Sequence, residues 1–198
     1  MNEQLWWWVA RASGITSWAL ATATVLWGLA LSTRVLGNKP RGPWLTDLHR
    51  FLGGLTVIFV LVHMAGLWLD SFVEFGPVEL LVPFTSTWQP AEVAVGVVAF
   101  YLLLAVEITS LLAKRISKRL WRGVHFTSYG VWLLGTIHLL TAGTDASNPM
   151  LLWSVIISSG AVAFFTAYRV IGPGKASGRP PRTIPNRPSA SPSPAEAA

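Results

Sequence analysis

Five apolar stretches, each long enough to cross a bilayer, limit what this chain can fold into. They run from Trp6 to Ser32, Leu48 to Leu69, Ala91 to Ala113, Val124 to Ala142 and Met150 to Ile171. A helix needs roughly 20 apolar residues to span the hydrocarbon layer, and the first stretch has enough for a tilted crossing. Their apolar character runs all round the helix, which suits lipid on one side and packed neighbours on the other. Only 12% of the 198 residues are charged, too few for a soluble domain of this length. The expected fold is an all-α integral membrane protein, a bundle of five transmembrane helices.

The net charge of +6 invites a nucleic-acid reading, but the placement of the charges argues against one. Arg34, Lys39, Arg41 and Arg50 gather between the first two stretches, and Lys114, Arg115, Lys118, Arg119 and Arg122 between the third and fourth. Arg169, Lys175, Arg179, Arg182 and Arg187 follow the fifth. The alternate loops hold acids such as Asp70, Glu74, Glu79 and Asp145, and no lysine or arginine. Cytoplasmic loops carry an excess of Lys and Arg, so the amino terminus is expected outside and the carboxyl terminus in the cytoplasm of a multi-pass plasma-membrane protein. Arg11 alone departs from the pattern. Trp6, Trp7, Trp8, Trp44, Trp68, Trp88, Trp121 and Trp153 fall near stretch ends, where such rings anchor at the headgroups, while Trp18, Trp27 and Trp132 lie deeper.

Four histidines carry the chemical signal: His49 and His63 on the second stretch, His125 and His138 on the fourth. The members of each pair lie fourteen and thirteen residues apart, near opposite ends of their stretch. At a helical rise of about 1.5 Å per residue each pair spans roughly 20 Å. The two stretches run in the same direction, so His49 and His125 lie toward the cytoplasm, His63 and His138 toward the outside. A lone histidine at a helix end is most simply a snorkelling interfacial residue. Imidazole is costly to bury in lipid without a partner, so four at two matched depths point instead to bound metal or haem. Two facing imidazoles fill both axial positions of a haem iron, which favours electron transfer over oxygen binding. A zinc or di-metal site would need its ligands within a few ångströms, and the span of each pair rules out one shared site. The chain has no cysteine, which excludes thiolate-ligated haem, cysteine-ligated iron–sulfur clusters, disulfides and covalent haem attachment.

The spacing carries one conflict. Fourteen residues return a helix to within about 40° of its starting face, whereas thirteen leave it about 140° away. His125 and His138 therefore cannot share one face of a straight helix, and a local irregularity, curvature or approach to two haems from different sides is required. Gly130 and Gly135 lie between them, and Gly53 and Gly54 follow His49 by one turn. Glycine permits both distortion and the close approach of a macrocycle.

The segment from Asp70 to Pro90 is unusually apolar for an exposed connection. It is expected to lie along the outer interface, either covering a cofactor or serving only as an interfacial segment. After Gly172 the chain turns to Gly, Pro, Ser and Arg, and residues 173–198 are expected to form a disordered cytoplasmic tail behind a membrane domain of residues 5–172. Such a tail is too short for a flavin- or nicotinamide-binding domain, which needs on the order of 100 residues. The electron donor is therefore expected to be a separate molecule. No cleavable signal peptide is expected, because no basic region precedes the first apolar run and that run is too long.

The run LHRFLGGLTVIFVLVHMAGL and the run WRGVHFTSYGVWLLGTIHLLTAGTD resemble the two haem-bearing helices of the ferric reductase-like transmembrane domain superfamily. That superfamily includes membrane ferric reductases, NADPH oxidases and the haem subunit of the periplasmic methionine sulfoxide reductase system. The two histidine spacings, the basic WRGVH start and the AGTD end carry the likeness, which covers residues 5–172. It implies two b-type haems, one held by His49 and His125 on the inner side and one by His63 and His138 on the outer side. Larger members have six spans and a fused cytoplasmic flavin and nicotinamide domain; here five spans and no such domain are expected. The resemblance thus implies haem binding without naming a substrate.

Haem propionates need cationic or hydrogen-bonding partners at the membrane edge. Arg50 and Arg122 are the inner candidates, with Arg41 and Lys114 behind them. Arg11 is the outer candidate, against the alternative of an arginine snorkelling to the interface. Glu107 is expected to pair with Lys114 or Arg115 rather than to transfer protons. Trp132 and Phe59 are candidates for rings between the haems, a position that core packing explains equally well. The expected function is a membrane b-type cytochrome with two non-covalent haems, passing single electrons across the bilayer. The donor would be a cytoplasmic flavoprotein or a quinol, and the acceptor or partner protein would lie outside, so the chain is an enzyme only together with its partners. The rivals are a haem-binding sensor, haem-handling or assembly protein without net transmembrane electron transfer, and a scaffold without haem.

Overall fold

A computed structural model of the protein describes residues 4–33, 43–71, 73 and 75–171. Arg34, Lys39, Arg41, Glu74, Lys175, Arg179, Arg182, Arg187 and the expected disordered tail lie outside the described residues. Every regular element among the described residues is helical: α1 (Leu5–Thr33), α2 (Pro43–Leu69), α3 (Pro77–Leu81), α4 (Pro90–Leu111), α5 (Lys118–Phe126), α6 (Ser128–Thr141) and α7 (Pro149–Ile171). Proline opens α2, α3, α4 and α7, where its missing N–H is one that a helix start leaves unpaired anyway. Ser117 caps α5, its hydroxyl accepting from the Leu120 amide at 3.2 Å.

Four helices, α1, α2, α4 and α7, are long and apolar enough to cross a membrane. The expectation of five such helices is not met among the described residues. The stretch Val124–Ala142 is divided between α5 and α6, which meet at Thr127. There the Thr127 amide bonds the Val124 carbonyl at 2.9 Å, three residues back instead of four, and the Thr127 hydroxyl donates to the same carbonyl at 2.7 Å. A three-residue turn advances about 120° per residue where an α-helix advances about 100°. The tightened turn therefore takes up part of the phase conflict between His125 and His138.

α1 is the hub. It packs along α2 and also against α6 and α7, while α4 packs on α6 and α5. Two apolar clusters seal α1 to α6 and α7: Trp18 with Leu139, Leu151 and Val155, and Leu29 with Trp132 and Val162. Two crossed hydrogen bonds link the clusters. Trp18 Nε1 donates to Thr136 Oγ1 at 3.0 Å, and Trp132 Nε1 donates to Thr22 Oγ1 at 3.1 Å. The buried hydroxyls of Ser13, Thr56 and Thr136 donate to carbonyls one turn back, sparing the cost of an unpaired polar group in apolar surroundings. Ile58, Leu133, Ile157 and Phe164 are instead exposed, so apolar surface faces outward and small hydroxyl residues sit within. This inverts the soluble pattern and suits a lipid solvent. Among the described residues α2 and α6 do not pack closely backbone to backbone. The space between them holds the site.

Candidate functional site

Both histidine pairs meet across that space. His49 of α2 and His125 of α5 have ring centres 6.0 Å apart, with ring planes at 68°. His63 of α2 and His138 of α6 have centres 6.4 Å apart, with planes at 79°. A metal–imidazole bond is about 2.0–2.1 Å and a ring centre lies about 1.1 Å behind its nitrogen, so two rings on opposite sides of one metal have centres roughly 6 Å apart. The spacing in both pairs fits one metal centre held between two imidazoles. Among the described residues no three His, Cys, Asp or Glu side chains converge as a metal cage. Each pair presents two imidazoles and, among those residues, no third side chain of these types, an arrangement compatible with a metal that brings the rest of its coordination in a macrocycle.

The two pairs differ in what stands behind the rings. His63 Nδ1 lies 2.7 Å from the Ala10 carbonyl of α1, and His138 Nδ1 lies 2.8 Å from the Glu92 carbonyl of α4. A ring that donates Nδ1–H to a carbonyl carries its lone pair on Nε2, the form a metal requires. His49 Nδ1 and His125 Nδ1 are buried with no hydrogen-bond partner. His125 instead stacks on Trp121, with centres 5.1 Å apart and planes at 20°.

A cavity of about 300 Å³ opens beside His63 and His138. Gly14, Trp18, Phe100 and Trp132 line it, and its volume falls at the lower end of ligand pockets. The segment after α2 closes one side: Val73, Phe75, Leu80 and Trp88 contribute to the lining, and Phe75 is buried against Val93 and Val97. The segment therefore borders the cavity beside His63 and His138. Asp70, at the end of α2, is buried on the same cavity with Oδ1 unpaired.

Arg11 also lines this cavity, and its guanidinium forms a two-pronged ion pair with Asp145 of the α6–α7 connection. It lies over the rings of Trp7 and Trp8, 4.8 and 5.1 Å from their centroids. Arg50 and Arg122 are exposed at the opposite end, near His49 and His125 in sequence, and Arg122 Nε donates to the Lys118 carbonyl at 3.1 Å. Glu107 does not pair with Lys114 or Arg115: the only ion pair among the described residues is Arg11–Asp145. The Glu107 carboxylate lies instead against Gly53, whose missing Cβ would come within 3.2 Å of it. Gly53 thus makes room for a carboxylate, whereas Gly135 faces open space on the cavity wall. Trp132 reaches the cavity; Phe59 is not part of its lining.

Three further residues escaped the sequence reading. A Cβ on Gly14 would lie 2.9 Å from His63 Nδ1, one on Gly28 3.1 Å from His49 Cε1, and one on Gly96 2.7 Å from His138 Cε1. Gly14 and Gly28 are fourteen residues apart on α1, the spacing of His49 and His63 on α2. That shared period was the available signal.

Comparison with known proteins points to the same helices. A family model described as "Ferric reductase like transmembrane component" matches residues 8–136, a stretch that holds His49, His63 and His125 and stops just short of His138. The protein-methionine-sulfoxide reductase heme-binding subunit MsrQ of Azospira oryzae is 27% identical over 151 residues, covering 72% of this chain and 61% of that protein. The subunit of the same description from Herminiimonas arsenicoxydans is 29% identical over 147 residues, covering 71% of this chain and 65% of that protein. An uncharacterized protein of Archaeoglobus fulgidus is 27% identical over 145 residues, covering 68% and 76%. The chain thus spans less than two thirds of the length of either heme-binding subunit. No solved structure matches it.

Proposed function

Because the chain belongs to the ferric reductase-like transmembrane family, we propose that it is a membrane b-type cytochrome carrying electrons across the bilayer through two bis-histidine haems. The observation that carries this reading is the double pairing of His49 with His125 and His63 with His138, ring centres 6.0 and 6.4 Å apart, at the two ends of α2. Haem, when bound, supplies a one-electron iron couple whose potential the axial ligands and their surroundings set.

The chain's own residues hold and separate the two centres. In this reading α5 and α6 together make the fifth crossing, since they bring His125 and His138 alongside both ends of α2. The basic α4–α5 connection faces the cytoplasm and the Arg11–Asp145 pair faces outward, following the charge bias of the loops. Arg50 and Arg122 would hold the propionates of an inner haem, and Arg11, oriented by Asp145, would hold those of an outer one. A membrane domain of residues 5–172 receives electrons from a separate cytoplasmic flavoprotein or a quinol and delivers them to an acceptor outside. The relatives named as heme-binding subunits support a role as one subunit beside a separate partner.

A dithionite-reduced minus oxidised spectrum of the purified protein, with haem quantified per chain, tests the reading. Two low-spin b-type haems are expected. One haem would favour the sensor or haem-handling role, and none would end the cytochrome reading. His63→Ala is expected to lose one haem, keep the other and abolish transmembrane electron transfer in proteoliposomes. Transfer that survived with one haem would overturn the relay.

A further inference from the structure

In an α-helix each carbonyl is shielded by the side chain four residues on, which projects back toward it. Gly14 stands four residues after Ala10, and Gly96 four residues after Glu92. Those are the two carbonyls that His63 and His138 reach, at 2.7 and 2.8 Å. A carbonyl has a second lone pair, so it accepts from a histidine while keeping its helical bond. A Cβ at either glycine would fall within 2.9 Å of the ring and push it off the carbonyl. At the other site the device is half-formed. Gly28 stands four residues after Thr24 and makes room for His49, whose ring faces the Thr24 carbonyl without closing a hydrogen bond, while His125 Nδ1 has no partner.

We infer that Gly14 and Gly96 are positioning residues for the His63–His138 site: they uncover the Ala10 and Glu92 carbonyls, which make these two histidines the stronger donors and give the haem held there the lower reduction potential. A ligating imidazole that donates its other N–H to a carbonyl gains basicity, and a more basic ligand stabilises the oxidised iron. The inference rests on the haem reading above and deepens it, because it assigns unequal potentials to two sites built from the same side chains.

Potentiometric titration of the purified protein, read by its haem spectrum, tests the assignment. Gly14→Ala and Gly96→Ala, on different helices, are each expected to raise the lower midpoint. They should also weaken haem retention at that site about tenfold or more, the usual cost of removing a ligand's outer partner. Gly28→Ala, on the same helix as Gly14→Ala, should leave that midpoint in place. Alanine is a better helix former than glycine, so a weaker α1 or α4 does not explain such a result. Unmoved midpoints in both variants overturn the inference, as does a Gly28→Ala protein that shifts the same midpoint as Gly14→Ala. Selective ¹⁵N-histidine labelling of the reduced wild type needs no variant: two Nδ1 protons shifted downfield by hydrogen bonding support the assignment, and four alike overturn it. A wild-type protein without haem would instead overturn the cytochrome reading itself.

Discussion

Trp18 and Trp132 exchange hydrogen bonds with Thr136 and Thr22 across the α1–α6 contact, at 3.0 and 3.1 Å. Each indole thereby buries its ring and satisfies its one donor, which an apolar core otherwise leaves unpaired. Double-mutant cycles on Trp18→Phe and Thr136→Val, measured by unfolding in mixed detergent, should give a coupling of about 0.6 kcal/mol, typical of interhelical bonds in membrane proteins. Asp145→Asn should cost up to about 1 kcal/mol, because the Arg11 guanidinium, with a side chain 30% exposed, loses one prong of its pair and keeps solvent access. Arg11→Lys should restore only part of the contact, since a point charge cannot form the two-pronged bond; thermal denaturation in detergent reads both. At this scale the histidines were legible because their spacing is written along the chain. The partner of Arg11 was not, because Asp145 lies 134 residues away. Gly14 and Gly96 were silent for a related reason: each acquires meaning only when another helix is laid against it.

Among the elements, the α5–α6 junction departs most from the sequence reading. Hydropathy averages over many residues and reads Val124–Ala142 as one span, whereas the helix is broken by a three-residue hydrogen bond at Thr127. The thirteen-residue spacing of His125 and His138 nonetheless announced that a straight helix would not serve. Inserting one alanine after Thr127 should turn α6 by about 100° relative to α5 and carry His138 away from His63. The expected protein keeps the His49–His125 haem and loses the other, a change from two haems per chain to one. An insertion mutant with both haems intact would mean that the junction does not set the phase. The apolar character of the segment after α2 was legible from its composition, but its contacts with Val93 and Val97 belong to the tertiary fold.

For the molecule as a whole, helical membrane character followed from composition alone, since few charges and long apolar runs leave no other solvent-compatible fold. Neighbour relations did not follow. Nothing in the sequence states that α1 packs on α2, α6 and α7, or that α2 and α6 stand apart. That separation leaves the two histidine pairs stacked along the bundle, roughly 20 Å from one another by helical rise. The distance is about two thirds of a hydrocarbon layer roughly 30 Å thick. An electron carried from one pair to the other therefore moves through most of the membrane's electric field, which does about 1.5 kcal/mol of work at 100 mV. In proteoliposomes of the proposed orientation, outward transfer should quicken as a potassium diffusion potential makes the interior more negative, and a rate indifferent to voltage would place both centres at one depth. On the proposed function, every electron released outward would also discharge the membrane by part of a charge, and the spacing of four imidazoles would then couple that chemistry to the voltage of the cell.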